Sequence, residues 1–382
     1  MAIGFTTGGT DFDNQFIRRE FFQEGQLYVS GLNSYGVLGT NNSSNYSSPV
    51  QTVASGLNWK SITTARQTAA GIKTDGTLWL WGRNDYGQLG INDVSTRSSP
   101  VQTISAGNTW KQVSSTWWSV GAIKSDGTLW MWGNNGTGQL GDNTTTHRSS
   151  PVQTVAVGTT WKQVSAGAFH SGAIKTDGTL WMWGNNGSGQ LGTGDSTRYL
   201  SPVQTISSGT NWKQVACGYS TLAIKTDGTL WGWGYNGFGQ LGTDNRTDRN
   251  SPVQTISGGT NWKQVSAGYY SSGAIKTDGT LWMWGYNNYG HLGTNDTTDR
   301  SSPVQTIAGG TNWKTVSVGS YSSDCAAIKT DGTLWGWGGN TGGPLRDGTA
   351  TNRSSPVQMG SLNNWGQVST GDFYIVSVST VT

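Results

Sequence analysis

Charged residues and cysteines are scarce in this 382-residue chain. Asp, Glu, Lys and Arg make up 12% of it, and the formal net charge is +3. We expect no nucleic-acid partner, because binding to phosphates depends on clustered Lys and Arg. The two cysteines, Cys217 and Cys325, are far apart in the sequence, which argues against a disulfide framework and against a cysteine-based metal site.

Long apolar runs are also missing. No stretch of about 18 apolar residues occurs, so the sequence predicts no insertion into a membrane. The first residues, Met-Ala-Ile-Gly-Phe-Thr-Thr-Gly-Gly, lack both the basic segment and the apolar segment of a secretory signal peptide. We therefore expect no export by that route.

Glycine and tryptophan, in contrast, are abundant, with 58 and 21 copies, and their positions repeat. The phrase Asp-Gly-Thr-Leu-Trp-x-Trp-Gly begins at six positions about 51 residues apart, and a weaker copy precedes them at Glu24. A Ser-Pro-Val-Gln phrase also recurs seven times, and so does a tryptophan that a lysine follows in six of the copies. A fixed period of this length is the signature of a repeat architecture.

One repeat unit predicts four short strands. The Asp-Gly pair suits a tight turn between the second and third strands, and the proline of the last strand places that strand at a sheet edge. Both faces of the third strand are apolar, as in Leu180 to Trp183, so each unit needs a neighbour on both sides. We therefore predict an all-β fold: a closed seven-bladed β-propeller with about 51 residues in each four-stranded blade.

The chain enters the repeat at a third strand, and its C-terminus holds the missing pair of strands. Trp365-Gly-Gln-Val-Ser matches a first strand, and Ile375-Val-Ser-Val-Ser matches a second strand. We expect residues 365–380 to pair with residues 26–53 and so complete the first blade. Residues 24–382 then form the propeller, and residues 1–23 form an N-terminal arm.

One repeat reads Gly167-Ala-Phe-His170-Ser171, then Asp177-Gly178, then Trp183-Gly184-Asn185 and Gly189-Gln190-Leu191-Gly192. Over nearly all of residues 24–380 the chain resembles the regulator of chromosome condensation repeat family, which implies a seven-bladed β-propeller. The resemblance implies no single function, because the family includes a guanine-nucleotide exchange factor, a bacterial inhibitor of β-lactamases and uncharacterised bacterial and viral proteins. The repeat histidine occurs only at His170 and no basic tail is visible, so exchange activity is not carried over.

No group of residues predicts catalysis. The repeated aspartates are explained by the Asp-Gly turns, and the twelve lysines occupy two repeat positions that suggest two rings. The three histidines fall at different repeat positions, which argues against a shared metal site. We therefore predict a protein that is not an enzyme, with no catalytic residues, no metal and no cofactor.

The segment between the first and second strands differs in every repeat and is rich in aromatic residues. Equivalent segments of a propeller lie on the same face, and aromatic side chains dominate binding hot spots. A recognition surface is one interpretation, and aromatic side chains that fill the channel or cap the core are the other. The candidate residues are Trp117, Trp118, Phe169, His170, Tyr219, Tyr269, Tyr270, Tyr321, Phe373 and Tyr374. The loop after the third strand, with Tyr86, Phe238 and Tyr289, is a weaker candidate.

The N-terminal arm is too short to form a domain and carries aromatic and basic residues. We expect it to dock on a larger assembly, and packing on its own propeller is the alternative. The candidate anchoring residues are Phe5, Phe12, Phe16, Arg18, Arg19, Phe21 and Phe22.

These features favour a structural and adhesive protein of a virus particle, as a tail, fibre or capsid-associated component of a bacteriophage. Near-identical repeats, low charge and the missing signal peptide motivate this hypothesis. The arm would bind other virion proteins, and a propeller face would bind a host surface protein or glycan. The alternative is a bacterial protein-binding propeller, such as an enzyme inhibitor, a surface adhesin or a lectin, located outside the cell or on its surface.

Overall fold

The structure, a computed structural model, describes residues 25–53, 56, 58–104, 107–156, 158–207, 209–257, 259–319 and 324–380. The strands in the first half of this part of the chain are β1 (Leu27–Gly31), β2 (Tyr46–Gln51), β3 (Trp59–Thr64), β4 (Thr68–Lys73), β5 (Leu78–Gly82), β6 (Arg97–Gln102), β7 (Trp110–Ser115), β8 (Ser119–Lys124), β9 (Leu129–Gly133), β10 (Arg148–Gln153), β11 (Trp161–Ala166), β12 (His170–Lys175), β13 (Leu180–Gly184) and β14 (Tyr199–Gln204). The strands in the second half are β15 (Trp212–Cys217), β16 (Ser220–Lys225), β17 (Leu230–Gly234), β18 (Arg249–Gln254), β19 (Trp262–Ala267), β20 (Ser271–Lys276), β21 (Leu281–Gly285), β22 (Arg300–Gln305), β23 (Trp313–Val318), β24 (Asp324–Lys329), β25 (Leu334–Gly338), β26 (Arg353–Gln358), β27 (Trp365–Thr370) and β28 (Tyr374–Ser379).

The strands form seven sheets of four, which are the blades of a propeller. Blade 1 combines β1 and β2 with β27 and β28, and blades 2 to 7 take the strands between them in consecutive groups of four. In blade 1, Leu27 pairs with Val378 and Gly31 pairs with Tyr374, so the C-terminal strands complete the first blade. The predicted seven-bladed fold and its composite blade are confirmed.

The strands of each blade are numbered first to fourth from the channel outward, and in blade 1 they are β27, β28, β1 and β2. The first strands of all seven blades surround a channel cavity of about 370 Å³. The fourth strand forms the outer edge and carries the repeated proline, for example Pro202 in β14. This is the position expected for a residue that has no backbone donor.

Neighbouring blades are held together by a buried tryptophan from each third strand of blades 2 to 7. In blade 4, the Trp183 side chain is fully buried and its Nε1 donates to the carbonyl oxygen of Gln139 in blade 3 at 2.8 Å. The indole lies against Gly141, which has a φ of +68° and where an added Cβ would come within 2.9 Å of Nε1. Glycine is required there both for the positive φ and for the close approach. Seven apolar clusters fill the junctions between blades, one for each junction.

A belt of side-chain hydrogen bonds joins the first strands around the channel. Gln163 Nε2 donates to the carbonyl oxygen of Val215 at 3.2 Å, and Val215 N donates back to Gln163 Oε1 at 3.0 Å. Cys217 N donates to Ser165 Oγ at 2.9 Å. The same exchange joins the pairs Gln112–Val164, Gln214–Val265 and Gln264–Val316. Gln and Ser side chains thus satisfy backbone groups that no neighbouring strand of the same blade reaches.

The junction between blades 7 and 1 departs from the pattern at two facing positions. Ser30 occupies the repeat position that the buried tryptophan occupies in blades 2 to 7. Arg346, with a φ of 56°, occupies the repeat position of the glycine that faces that tryptophan. Arg346 is buried; its Nε donates to Ser30 Oγ at 2.7 Å and its Nη1 donates to Ser377 Oγ at 3.0 Å. Its guanidinium also lies 5.5 Å from the ring centre of Trp365, and burial lowers the pKa of Arg346 to about 9. The long cation fills the space that the missing indole leaves.

We predict strong coupling between Arg346 and Ser30. Arg346→Gly alone leaves a cavity beside two buried hydroxyl groups and should lower the free energy of unfolding by about 3 kcal/mol. Ser30→Trp alone should also destabilise the protein, because the indole and the guanidinium compete for one space. The double variant restores the Gly–Trp pair of the other junctions and should recover most of the lost stability in urea denaturation.

Arg300→Gly is the matched control for this cycle, since Arg300 is partly exposed and ion-paired with Asp296 at 2.7 Å. It should lower the free energy of unfolding by no more than about 1 kcal/mol. If the double variant Arg346→Gly/Ser30→Trp loses as much free energy of unfolding as the two single variants together, the predicted coupling between Arg346 and Ser30 is wrong.

Candidate binding face

The direction of the strands places two sets of connections at the same end of the propeller. In each blade the first and third strands run one way and the second and fourth run the other way. The connection from the first to the second strand (167–169 in blade 4) and the loop from the third to the fourth strand (185–198) therefore share one end, called the aromatic face. The Asp-Gly turns (176–179 in blade 4) lie at the opposite end, called the turn face.

Aromatic rings of the first-to-second connections meet over the channel. Trp117 of blade 3 and Tyr269 of blade 6 stack with their ring centroids 4.8 Å apart and an interplanar angle of 9°. Tyr219 stacks on Tyr269 at 4.5 Å, and Phe169 meets Trp117 edge-on at 5.5 Å. Blades 3 and 6 lie on opposite sides of the channel and Trp117 is 7% exposed, so these rings close one mouth of the channel. Capping was one of the two arrangements expected from the sequence.

Further rings continue from this cap across blades 5 and 6. Tyr270 lies 4.7 Å from Phe238, and Phe238 lies 4.9 Å from Tyr286, measured between ring centroids. Tyr286 meets Tyr289 edge-on at 6.4 Å, and Tyr289 is 48% exposed. The loops after the third strands therefore extend the cap into one connected aromatic surface, which is half-buried near the channel and open to solvent at its rim.

Tyr235 and Tyr286 belong to this surface, although neither is among the residues expected from the sequence. Each directly follows the glycine that ends a third strand, at the register where Asn134 and Asn185 stand in blades 3 and 4. The Tyr235 ring lies 5.0 Å from the ring of Tyr219. The sequence signal that identifies them is a tyrosine at a repeat position that differs between blades.

Two residues expected on the face, His170 and Tyr374, lie inside the propeller instead. Each is the first residue of a second strand, one position beyond the connection, and a shift of one residue in a strand turns the side chain to the other side. His170 Nε2 lies 2.8 Å from Thr221 Oγ1 of blade 5. Tyr374 Oη donates to the carbonyl oxygens of Ala65 and Thr68 of blade 2 at 3.0 and 2.8 Å. Both side chains are buried between blades and add nothing to the face.

The remaining expected residues have different positions. Trp118 is half-buried on the face and meets Trp117 edge-on with ring centroids 5.1 Å apart, and Phe373 is also half-buried there. Outside the described residues lie Tyr321 of the face and the arm residues Phe5, Phe12, Phe16, Arg18, Arg19, Phe21 and Phe22.

A cation and a carboxylate border the aromatic surface on the side of blades 1 and 2. The Arg66 guanidinium carbon lies 4.9 Å from the ring centre of Trp117 and 5.9 Å from that of Trp118. Its Nε donates to Asp372 Oδ2 at 3.1 Å, and the Asp372 side chain is largely buried. The face thus combines an apolar centre with a charged border, and the cation is held over the ring faces that attract it.

Several titratable side chains are buried in the propeller or hydrogen-bonded within its turns. Asp177 accepts hydrogen bonds from the backbone N and the Oγ1 of Thr179 at 2.9 and 2.7 Å, and these bonds lower the pKa of Asp177. The same bonds recur at the other Asp-Gly turns. Burial lowers the pKa of His170 and of His291 to about 3, so both imidazoles are neutral near pH 7. Burial raises the pKa of Cys217 to about 12 and keeps it a thiol.

The described part of the chain contains neither a candidate metal site nor a candidate membrane span. No three His, Cys, Asp or Glu side chains in it stand close enough together to hold a metal ion. It also contains no helix of the length and apolarity that a membrane crossing requires.

The sequence matches two family profiles and several known proteins. The RCC1-like domain profile covers residues 101–377, and the Regulator of chromosome condensation (RCC1) repeat profile covers residues 75–123. The Ultraviolet-B receptor UVR8 of Arabidopsis thaliana is 34% identical over 340 residues, which span 87% of this chain and 77% of that protein. The E3 ubiquitin-protein ligase HERC2 of Homo sapiens is 28% identical over 370 residues, which span 93% of this chain but 8% of the ligase.

A solved structure of low sequence identity shares the fold. The structure of Prp20p from Saccharomyces cerevisiae matches with a TM-score of 0.83 and 18% identity, over 94% of this chain and 92% of that chain. At this identity the likeness concerns the arrangement of the strands alone.

We predict that the central rings stabilise the propeller, whereas the outermost ring does not. Trp117→Ala removes the stacked contact over the channel and should lower the free energy of unfolding by about 3 kcal/mol. Tyr289→Ala removes a ring that is 48% exposed and should change it by no more than about 0.5 kcal/mol. Urea denaturation followed by circular dichroism measures both. Equal shifts for the two variants would show that the cap has no structural role.

Proposed function

The chain belongs to the RCC1-like repeat family of seven-bladed β-propellers, and on this premise we propose that it is a non-enzymatic protein-binding module that presents its aromatic face to a partner. The observation that carries the proposal is the unbroken series of ring contacts from Trp117 through Tyr269, Tyr270, Phe238 and Tyr286 to Tyr289. Aromatic residues and Arg provide most of the binding energy in protein interfaces, and this face carries both.

Mutual packing of the rings supports a binding role. Tyr269 contacts Trp117, Tyr219 and Tyr270 at once, with ring centroids 4.8, 4.5 and 4.3 Å apart. Side chains that are already held by their neighbours lose little conformational entropy when a partner arrives. A surface ordered in this way keeps more of its contact energy as affinity.

The non-enzymatic part of the proposal is supported by the state of the titratable groups. His170 and His291 are buried and neutral, and Cys217 is buried as a thiol. The repeated aspartates are bound to the threonines of their own turns at the turn face, as Asp177 is to Thr179. A catalytic site requires titratable groups that converge in an accessible cleft, and these groups are spread over different blades or buried.

Family membership supports a common scaffold more than a common activity. The relatives named above include an ultraviolet-B receptor and a ubiquitin ligase of which the match spans 8%, so this repeat occurs in proteins of different function. In this chain the repeated residues build the blades, and the aromatic residues of the face stand where the repeats differ. Binding specificity then depends on the loops, which is where scaffolds of this kind carry function.

We predict that peptide ligands selected on the protein bind the aromatic face. A random peptide display library is selected on the immobilised protein, and the enriched peptides are measured by biolayer interferometry. Phe238→Ala/Tyr289→Ala should weaken them more than about tenfold, because truncation of a hot-spot residue costs at least about 1 kcal/mol. Ile256→Ala/Ile307→Ala is the matched control, since these side chains are 54% and 56% exposed at the opposite end. Equal losses in both variants would contradict the proposal.

A glycan array separates this proposal from the lectin alternative. The wild-type protein and the Phe238→Ala/Tyr289→Ala variant are applied to the same array. Binding to glycans by the wild-type protein, together with failure of every peptide selection, would replace protein binding by carbohydrate binding as the role of the face.

The more specific proposal is a virion structural or adhesion component, in which residues 1–23 bind other virion proteins and the aromatic face meets a host surface. Near-identical repeats and low charge support this role. Full-length protein and a variant without residues 1–23 are mixed with particles of a candidate bacteriophage and weighed by light scattering. Only the full-length chain should join the particle. Equal behaviour of both chains would favour the alternative, a bacterial protein-binding propeller that acts outside the cell or on its surface.

A further inference from the structure

The open mouth of the channel is surrounded by lysines. The second residue of the first strand is a lysine in blades 2 to 7, and the corresponding residue of blade 1 is Gly366. Because the first residue of that strand pairs with the last residue of the second strand, as Trp161 pairs with Lys175, these lysines lie at the turn face. The set, called the lysine ring, comprises Lys60, Lys111, Lys162, Lys213, Lys263 and Lys314.

A cavity of ligand size lies inside the lysine ring. It has a volume of about 360 Å³ and is lined by residues of blades 6, 7 and 1, among them Lys263, Lys314, Thr315 and Gly366. Pockets for small molecules typically measure about 300–1,000 Å³. The other mouth of the channel is closed by the stacked Trp117 and Tyr269. A ligand therefore enters from the turn face and meets the lysines first.

Like charges are crowded around this mouth. Burial lowers the pKa of Lys213, and the neighbouring charges of Lys162 and Lys263 lower it further. Among the described residues, Lys60, Lys111, Lys162 and Lys263 form no ion pair with a carboxylate, and all four are exposed. An anion placed here would relieve the mutual repulsion of the ring and gain attraction from several blades at once.

The other six lysines, each the last residue of a second strand, have a structural role. Lys175 Nζ lies 5.0 Å from the ring centre of Trp161 and 4.3 Å from that of Trp181. The same double contact recurs in the other blades from 2 to 7. Each of these lysines also lies near the aspartate of its own turn, and its charge adds to the threonine hydrogen bonds that chiefly lower the pKa of that aspartate. With the rings of the described residues, Lys60, Lys111, Lys162 and Lys263 form no such contacts.

We propose that the lysine ring and the cavity inside it bind a small linear polyphosphate anion. Lysine is a compact, strongly hydrated point charge that suits phosphate oxygens. A chain of linked phosphates carries several charges and spans adjacent blades, whereas a single phosphate reaches only a part of the ring. The site is separate from the aromatic face, so both can be occupied together.

Inorganic tripolyphosphate is the probe, titrated into the full-length protein by isothermal calorimetry at an ionic strength of about 0.15 M, where distant charges are screened. Lys213→Gln/Lys263→Gln/Lys314→Gln should weaken binding about tenfold or more, because two lysines that line the cavity and the neighbour of Lys263 lose their charge. Lys225→Gln/Lys276→Gln/Lys329→Gln changes the net charge equally in the same blades and should stay within about threefold of the wild-type affinity. Circular dichroism verifies the fold of both variants.

A variant that gains charge keeps the test independent of any loss of stability. Gly366→Lys supplies the seventh lysine of the ring and should tighten binding about twofold. An added Cβ at Gly366 would lie 2.9 Å from the Thr380 Cγ2 methyl, which a rotation of that side chain moves away. No binding of tripolyphosphate by the wild-type protein would overturn the proposal. Equal weakening by the two triple variants, or binding of single-stranded DNA without binding of tripolyphosphate, would overturn it as well.

Discussion

The need of every third strand for an apolar neighbour on both sides determines the rest of this structure. Leu180 and Met182 are buried in the apolar cluster shared with blade 5, while Trp183, on the other side of the same strand, is fully buried against Gly141 of blade 3. A single blade cannot satisfy both sides, and an open row of blades would leave two apolar ends. Closure through β27 and β28 removes both ends, and the Gln and Ser belt then joins the first strands where no backbone ladder is available.

Features that depend on repeated residues were predictable from the sequence, and features that depend on contacts between distant repeats were not. The turns, the edge proline and the composite blade each follow from a residue type at a fixed position. The register of the connections does not, because no repeated residue marks where a second strand begins, and His170 and Tyr374 are the first residues of their strands. The stack of Trp117 on Tyr269 and the fit of Arg346 to Ser30 require the three-dimensional distances between blades.

The two ends of the channel have opposite chemistry, and the strand direction explains why. Residues at the end of each first strand lead into connections of variable sequence, where Trp, Tyr and Phe collect over the channel. Residues at the start of each first strand are nearly invariant between repeats, so one lysine becomes a ring of like charges. Repetition therefore multiplies a single charge at the turn face, whereas variation builds an asymmetric surface at the aromatic face. The same seven-fold frame supports both.

Unequal recombination within a gene of this kind can copy or delete a repeat only where the two edges of a blade are interchangeable. The six junctions from blade 1 to blade 7 each bring a glycine against a buried tryptophan, so a duplicated inner repeat would match either neighbour. Arg346 and Ser30 match only each other, because a glycine opposite Ser30 leaves a hole and an indole opposite Arg346 overfills the space. Gain and loss of blades are thereby confined to the interior of the chain, and its two ends are inherited as a matched pair.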